Sequence, residues 1–278
     1  MSQTPPEDMI TVLTADSDWA LFDFKELQRY RDLFYFLVWR DIKVLYAQTV
    51  LGFAWAILNP AIQIVVFSII FGRIANIGTD GVPYVLFSTV AIIPWTYMSD
   101  AMTSASQSLV TGKNLLGKIY FPRVLFPLTP ILAKLVDFSI SLIILILVMV
   151  YYQVTPTWNL LLMPVLIVAM MLVPIGIGMW LAALAIRYRD VKFAMTFMIK
   201  LLIYSAPILY SASAIPADMR FWYSLNPIVA VIEGFRSCLL GGPIEWQFIL
   251  PGLFIAVLIF LSGALYFRRM EKVFVDVI

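Results

Sequence analysis

Six long apolar stretches, at residues 50–71, 83–102, 131–152, 160–186, 193–210 and 249–267, dictate the solvent in which this chain folds. A helix that crosses a bilayer needs about 20 mostly apolar residues, because the hydrocarbon core is about 30 Å thick and each residue rises about 1.5 Å. The chain is 62% hydrophobic and 13% charged over 278 residues. That is more apolar surface than a water-soluble core of this length can hide. The sequence therefore predicts an all-α polytopic membrane protein with six transmembrane helices and no room for a separate soluble catalytic domain.

Basic residues orient the chain. The segments expected on one side of the membrane carry 14 Lys and Arg, from Lys25 and Arg29 through Lys118 and Arg187 to Lys272; the other side has only Arg73, Arg220 and Arg236. Lys and Arg concentrate in cytoplasmic loops, so both termini are expected in the cytoplasm. Residues 1–18 are polar and acidic, unlike a signal peptide, and the first span is expected to direct insertion. The predicted organisation is a cytoplasmic tail at 1–24, an interfacial amphipathic helix at 25–46, a six-span domain at 47–270 and a cytoplasmic tail at 271–278.

Composition removes several chemistries. There is no histidine, which takes away the commonest metal ligand, the usual general base and any Ser–His protease pair. A single cysteine, Cys238, excludes an internal disulfide and a cysteine-based metal cluster. A net charge of +2 gives no sign of a nucleic-acid partner. The only nucleotide-like motif is Gly112-Lys-Asn-Leu-Leu-Gly117-Lys118-Ile119. It has phosphate-loop spacing, but Ile119 stands where a Ser or Thr must ligate Mg²⁺. The sequence thus predicts no ATPase site, catalytic residue, metal site or cofactor-binding residue in this chain.

In the helix at 25–46, Lys25, Arg29, Asp32, Arg40 and Lys43 share one arc; Leu27, Tyr30, Phe34, Leu37, Val38 and Leu45 share the other. Asp41 falls in the apolar arc. The helix reads as an interfacial anchor or as a gate, with Asp41 meeting a partner. Residues 211–247 are too long for a turn and too apolar for a solvated loop. The breakers Pro216, Pro227 and Gly241-Gly242-Pro243 divide them into short helices near 217–224 and 227–240 that dip into the outer leaflet and return.

Three further groups of residues are candidates for function. The apolar cytoplasmic segment holding Asn114, Leu115, Leu116, Ile119, Phe121 and Arg123 either inserts into a groove on another protein or caps span ends. Charges inside a membrane are usually paired or functional. Lys134 with Asp137, and Glu233 with Arg236, are each three apart on a helix, close enough to neutralise one another. The first pair reads as structural and the second as either structural or gating. Most aromatic residues belong to interfacial belts, but Trp55, Tyr84, Tyr204 and Tyr210 are placed to face a central path, where rings stack on apolar sugar faces.

The run Arg31-Asp-Leu-Phe-Tyr-Phe-Leu-Val-Trp-Arg-Asp-Ile-Lys43, then Gln48-Thr-Val-Leu-Gly52 and Ala56-Ile-Leu-Asn-Pro60, resembles the start of polysaccharide-exporting type-2 ABC transporter permeases. Phe121-Pro-Arg123, Tyr188-Arg-Asp-Val-Lys192, Leu225-Asn-Pro227 and the closing residues 268–278 resemble later landmarks of that family. Leu45 and Ala47 depart from it, since basic residues are expected there. The resemblance implies a homodimer in the bacterial inner membrane, paired with two copies of a cytoplasmic ATPase that binds ATP and Mg²⁺. It implies export of a lipid-linked glycan such as an O-antigen, with a capsule or teichoic acid as the alternative cargo. It further implies that residues 109–122 include the coupling helix and that the N-terminal helix, with Arg29, Arg31, Arg40 and Lys43, gates lipid entry. The rival readings are an integral membrane enzyme of lipid-linked glycan metabolism and a secondary transporter. The former lacks clustered carboxylates, and the latter lacks an internal repeat.

Overall fold

A computed structural model describes residues 28–47, 49, 51–116, 121–155, 157–188 and 190–271. The expectations for the tail at 1–24 and for Lys25, Lys118 and Ile119 lie outside the described residues, as do the side chains of Asn114 and Leu116. Ten helices organise the described chain: α1 (Arg31–Tyr46), α2 (Ala54–Phe67), α3 (Tyr84–Thr111), α4 (Lys113–Leu116), α5 (Leu125–Tyr151), α6 (Met163–Arg187), α7 (Val191–Leu202), α8 (Arg220–Ser224), α9 (Pro227–Leu240) and α10 (Trp246–Glu271). A π-helical turn, Ser68–Ile74, extends α2, and a 3-10 turn, Trp158–Leu162, leads into α6. No strand occurs among the described residues.

Four helical stretches are both long and apolar enough to cross a bilayer: Ala54–Ile74, Leu125–Tyr151, Trp158–Arg187 and Trp246–Glu271. α3 has 28 residues, about 42 Å at 1.5 Å per residue, but its second half is rich in Ser and Thr. It is the hub of the bundle, packing on α5, α6 and α9, and its residues Ala101, Met102 and Ala105 are fully buried.

α6 and α10 cross with their backbones in contact. A Cβ on Gly263 would lie 2.3 Å from the Gly176 carbonyl oxygen, and one on Gly176 would lie 2.5 Å from the Ile259 carbonyl oxygen. Only a pair of glycines permits this approach, and close small-residue packing is how helices gain contact in a solvent as apolar as their side chains.

The stretch expected to span at 193–210 is helical only to Leu202. Beyond it the bonds tighten to three-residue turns, Tyr204 N–H to Leu201 O at 3.0 Å and Ser205 N–H to Leu202 O at 3.1 Å. Pro207 ends the helix: it has no N–H and disfavours the α conformation at Ala206. Backbone freed in this way must find partners, and side chains supply them. Tyr210 Oη donates to Tyr204 O at 3.1 Å, Asn226 Nδ2 to Ser205 O at 3.1 Å and Tyr84 Oη to Leu209 O at 3.0 Å.

α8 and α9 occupy the two short segments expected between the breakers. α9 begins with Pro227 and is capped by Asn226 Oδ1, which accepts from Ile228 N–H at 3.0 Å, the usual start for a short helix. It ends at Gly241 with φ 73°, a left-handed conformation that glycine adopts without cost. All of α9 except Leu240 is buried.

Candidate functional site

A polar stripe runs down the lower half of α3. Asp100, Ser104, Gln107 and Thr111 follow one another at spacings of three or four residues, which places them on one helical face. This stripe lines two cavities that share α1 as a wall. The larger, about 590 Å³, lies between Leu37, Arg40 and Val44 of α1 and Ser104, Gln107, Ser108 and Thr111 of α3, with Leu115 and Phe126 closing it. The second, about 190 Å³, is bounded by Tyr46, Trp55, Asn59, Thr96, Asp100, Lys134 and Asp137. The helical spacing of these α3 residues was visible in the sequence, but hydropathy alone drew attention away from it.

Lys134 is the electrostatic centre of the second cavity. Its Nζ donates to Asp137 Oδ2 at 2.8 Å, as the i, i+3 spacing predicts, and lies 3.7 Å from Asp100 Oδ2 of α3. Two carboxylates thus share one ammonium, and Asp100 is a partner that sequence reading missed. The Tyr46 hydroxyl donates to the other oxygen of Asp137, and the Tyr46 ring stacks on Phe53 at 3.9 Å. The last turn of α1 is therefore fastened to α5. The Thr96 hydroxyl is buried here with no hydrogen-bond partner among the described residues.

α1 departs from the simple amphipathic picture. Arg29, Arg31, Arg40 and Lys43 are all exposed as expected, but so are Tyr35, Phe36, Trp39 and Val44. Leu37, 1% exposed, anchors the helix in a core with Leu109, Phe126 and Phe267, and Tyr30, Leu33 and Phe34 pack against it. Asp41, expected to meet a partner, takes its own neighbour, Arg40 Nη2, at 2.7 Å. Lys43 lies over the Trp39 ring, 5.4 Å from its centroid.

The four aromatic residues expected along a path separate into different roles. Trp55 lines the second cavity and is exposed. Tyr204 is exposed on the broken end of α7. Tyr84 and Tyr210 are half-buried, and their hydroxyls are committed to the backbone of that break. Tyr223 Oη donates to Tyr210 Oη at 3.2 Å. Burial, reinforced by this hydroxyl, holds the Tyr223 phenol above its ordinary range, so it remains neutral.

Glu233 and Arg236 form the expected pair, Arg236 Nη1 to Glu233 Oε1 at 2.8 Å, buried in α9. The guanidinium also lies 3.6 Å from the Phe87 ring centroid, a cation–π contact strengthened by the burial of both residues. Its Nε and Nη2 have no hydrogen-bond partner among the described residues.

The segment after α3, expected on the cytoplasmic side, corrects one expectation. Phe121, expected as an anchor for another protein, is 4% exposed and packs on Phe126 with ring centroids 5.3 Å apart. It fills this chain's own core, because Phe126 turns back over Gly112, where a Cβ would meet its ring at 2.1 Å. That contact also accounts for the first glycine of the phosphate-loop look-alike. The segment emerges from a 28-residue helix, whereas a phosphate loop follows a strand. Arg123 is tied to the end of α10: its Nη1 donates to Glu271 O at 2.9 Å and its N–H to Glu271 Oε1 at 3.1 Å. Leu115 is half-buried beside the same core.

Comparison with known proteins agrees with these landmarks. The family model for the ABC-2 type transporter matches residues 32–240. The chain is 26% identical to the O-antigen export system permease protein RfbA of Myxococcus xanthus, over 77% of this chain and 82% of that one. It is 22% identical to an RfbA of Klebsiella pneumoniae, over 89% and 95% of the two chains. The polysialic acid transport protein KpsM of Escherichia coli is 24% identical over 84% and 91%. On a match that runs from the start of α1 to the end of α9, this chain belongs to the ABC-2 type transporter family.

Proposed function

We propose that this chain is the membrane subunit of an ATP-driven exporter that moves a lipid-linked polysaccharide, of O-antigen type, out of the cytoplasm of a bacterium. The observation that carries this reading is the polar stripe of α3. A membrane helix with Asp100, Ser104, Gln107 and Thr111 on one face must turn that face to water or to a polar cargo, because lipid cannot satisfy those groups. With α1 opposite, the stripe offers hydroxyl, amide and carboxylate partners to sugars, and Trp55 offers a ring, while a lipid tail stays outside the bundle. The family relatives named for O-antigen export and polysialic acid transport support the cargo class; a capsule polymer is the second reading favoured by the latter.

Six crossings are proposed, α3 and the pair formed by α7 with residues 203–210 joining the four apolar stretches, with both termini cytoplasmic and α8–α9 re-entrant from outside. The subunit works as a homodimer with two ATPase subunits, which bind ATP and Mg²⁺. Contact with them is assigned to the surface around Asn114, Leu115, Leu116, Ile119 and Asp41, with Arg123 holding that surface in place. The interfacial helix, through Arg29, Arg31, Arg40 and Lys43, sits at the entry gate. Glu233–Arg236 supports the outer gate.

The test is reconstitution of this chain with the ATPase subunit that co-purifies with it, in vesicles loaded with a lipid-linked glycan. ATP should bring lectin-accessible glycan to the opposite leaflet, and Gln107→Leu should slow it at least tenfold without dissociating the complex. Equal rates with and without ATP would overturn the assignment.

A further inference from the structure

A third cavity, of about 160 Å³, opens at the other end of the molecule from the α3 stripe's lower cavity, among segments that sequence reading placed outside the cytoplasm. It is built by five separate pieces of chain. Asp80 comes from the loop after α2, the two serines Ser211 and Ser213 from the turn beyond the broken helix, Arg220 from α8, Glu233 from α9, and Glu245 with Gln247 and Phe248 from the start of α10.

The polar groups are held in place and largely by neutral donors. Ser213 Oγ donates to Asp80 Oδ1 at 2.9 Å, and Ser211 Oγ donates to Asp80 Oδ2. Gln247 Nε2 donates to Glu245 Oε2 at 2.8 Å. Arg220 Nε is turned toward the Ile215 carbonyl at 3.1 Å. Neither Asp80 nor Glu245 has an ion-pair partner among the described residues. Behind Glu233, the 6%-exposed Arg236 keeps two nitrogens without hydrogen-bond partners. Phe248 supplies an apolar wall, braced edge-on by Tyr223 at 6.3 Å.

This chemistry selects its occupant. With Glu233 offset by Arg236 behind it, Asp80 and Glu245 against the single lining cation Arg220 leave the cavity net negative, which disfavours a phosphate or pyrophosphate group. A metal ion needs converging ligands, and no group of three metal-capable side chains converges among the described residues. A hydrocarbon chain would strand every one of the polar groups. A neutral polyol suits them all: carboxylate lone pairs left over after one or two bonds accept sugar hydroxyls, serine and amide groups do either, and Phe248 meets the C–H face of a ring. The volume is below the roughly 300 Å³ at which pockets for larger ligands begin, so it admits one ring.

We propose that this outer cavity is a sugar-binding subsite that takes a single pyranose of the glycan as it emerges. The proposal rests on the reading that a polysaccharide passes through this protein. Saturation-transfer NMR of the full chain in nanodiscs tests it, with methyl glucoside, methyl mannoside, methyl galactoside and methyl N-acetylglucosaminide as probes. At least one should receive saturation, and Asp80→Asn with Glu245→Gln should cut the signal at least fivefold. Phe248→Leu, which leaves the carboxylates alone, should cut it as well. Each variant is compared at a melting temperature matching wild type, and a variant that fails that check is replaced by Ser213→Ala. No transfer to any of the four glycosides overturns the subsite, as does transfer unchanged by the substitutions or displacement of the sugar by inorganic phosphate or by calcium. Surface glycan in cells is scored separately. Export without glycoside binding removes the subsite and keeps the exporter; glycoside binding without export does the reverse.

Discussion

Arg123 and Glu271 hold each other by both ends: the guanidinium caps the Glu271 carbonyl at 2.9 Å, and the Glu271 carboxylate accepts the Arg123 backbone N–H at 3.1 Å. A cation at a helix C-terminus satisfies carbonyls that have no partner within the helix. Here it also joins the segment beyond α4 to the last helix of the bundle. If the proposed ATPase contact lies on this surface, the clamp and the Gly176–Gly263 crossing offer a route by which its movement reaches α10 and α6. Arg123→Ala should cost about 1–2 kcal/mol, read as a drop of a few degrees in detergent melting, and should uncouple ATP hydrolysis from transport more than it lowers complex yield. Unchanged coupling would mean the clamp is only structural.

The burial of Phe121 changes what truncation in this segment should do. Phe121→Ala removes a core ring packed on Phe126 and should destabilise the subunit itself by about 3 kcal/mol. Leu115→Ala, at the half-buried edge of the same core, should cost less stability and loosen the ATPase more. Size-exclusion profiles of the subunit alone and co-purification of the ATPase separate the two effects. If Phe121→Ala leaves the melting temperature intact and releases the ATPase, the ring is an external anchor after all.

Lys134 serves two carboxylates, and only one matters for stability. Removing the ammonium with Lys134→Met leaves Asp137 and Asp100 uncompensated; for this half-buried pair the cost should fall at about 2 kcal/mol, between that of an exposed pair and that of a fully buried one. Asp100→Asn should cost under about 1 kcal/mol, because it lies 3.7 Å away and is half exposed. Adding Asp137→Asn to Lys134→Met should recover most of the loss. Melting curves of wild type, Lys134→Met, Asp137→Asn and the double variant form the cycle, and a stable Lys134→Met single variant would contradict it.

How far the sequence could be read follows from the range of each signal. Lys134–Asp137, Glu233–Arg236 and the bounds of α9 were legible because spacing and caps act within one turn of helix. Asp100 was not, since it reaches Lys134 only when α3 and α5 pack, 34 positions apart. Phe121 was misjudged because hydrophobicity in a membrane protein does not distinguish a core side chain from one facing lipid or a partner. Residues 193–210 have the apolarity of a span, but Pro207 breaks the continuous helix that apolarity suggests. Asp80 and Glu245 drew no notice because each is a lone carboxylate in a loop until five segments converge.

Asn226 does two jobs at the broken helix, and they can be separated. Its Oδ1 caps α9 by accepting from Ile228 N–H, and its Nδ2 donates to the Ser205 carbonyl, which the end of the helix leaves without a helical partner. Alanine loses both: about 1 kcal/mol for the cap and about 1 kcal/mol more for the carbonyl. Serine still caps a helix but is too short to reach Ser205 with a donor. Asn226→Ser should therefore regain about half of the stability that Asn226→Ala loses. Hydrogen exchange followed by mass spectrometry distinguishes the sites of damage. In Asn226→Ser, amides at 203–210 should exchange several-fold faster while those of α9 keep wild-type protection; in Asn226→Ala both should speed up. Equal protection at 203–210 in all three proteins would show that the break is held by Tyr84 and Tyr210 alone, and that the Asn226 bond to Ser205 contributes nothing to it.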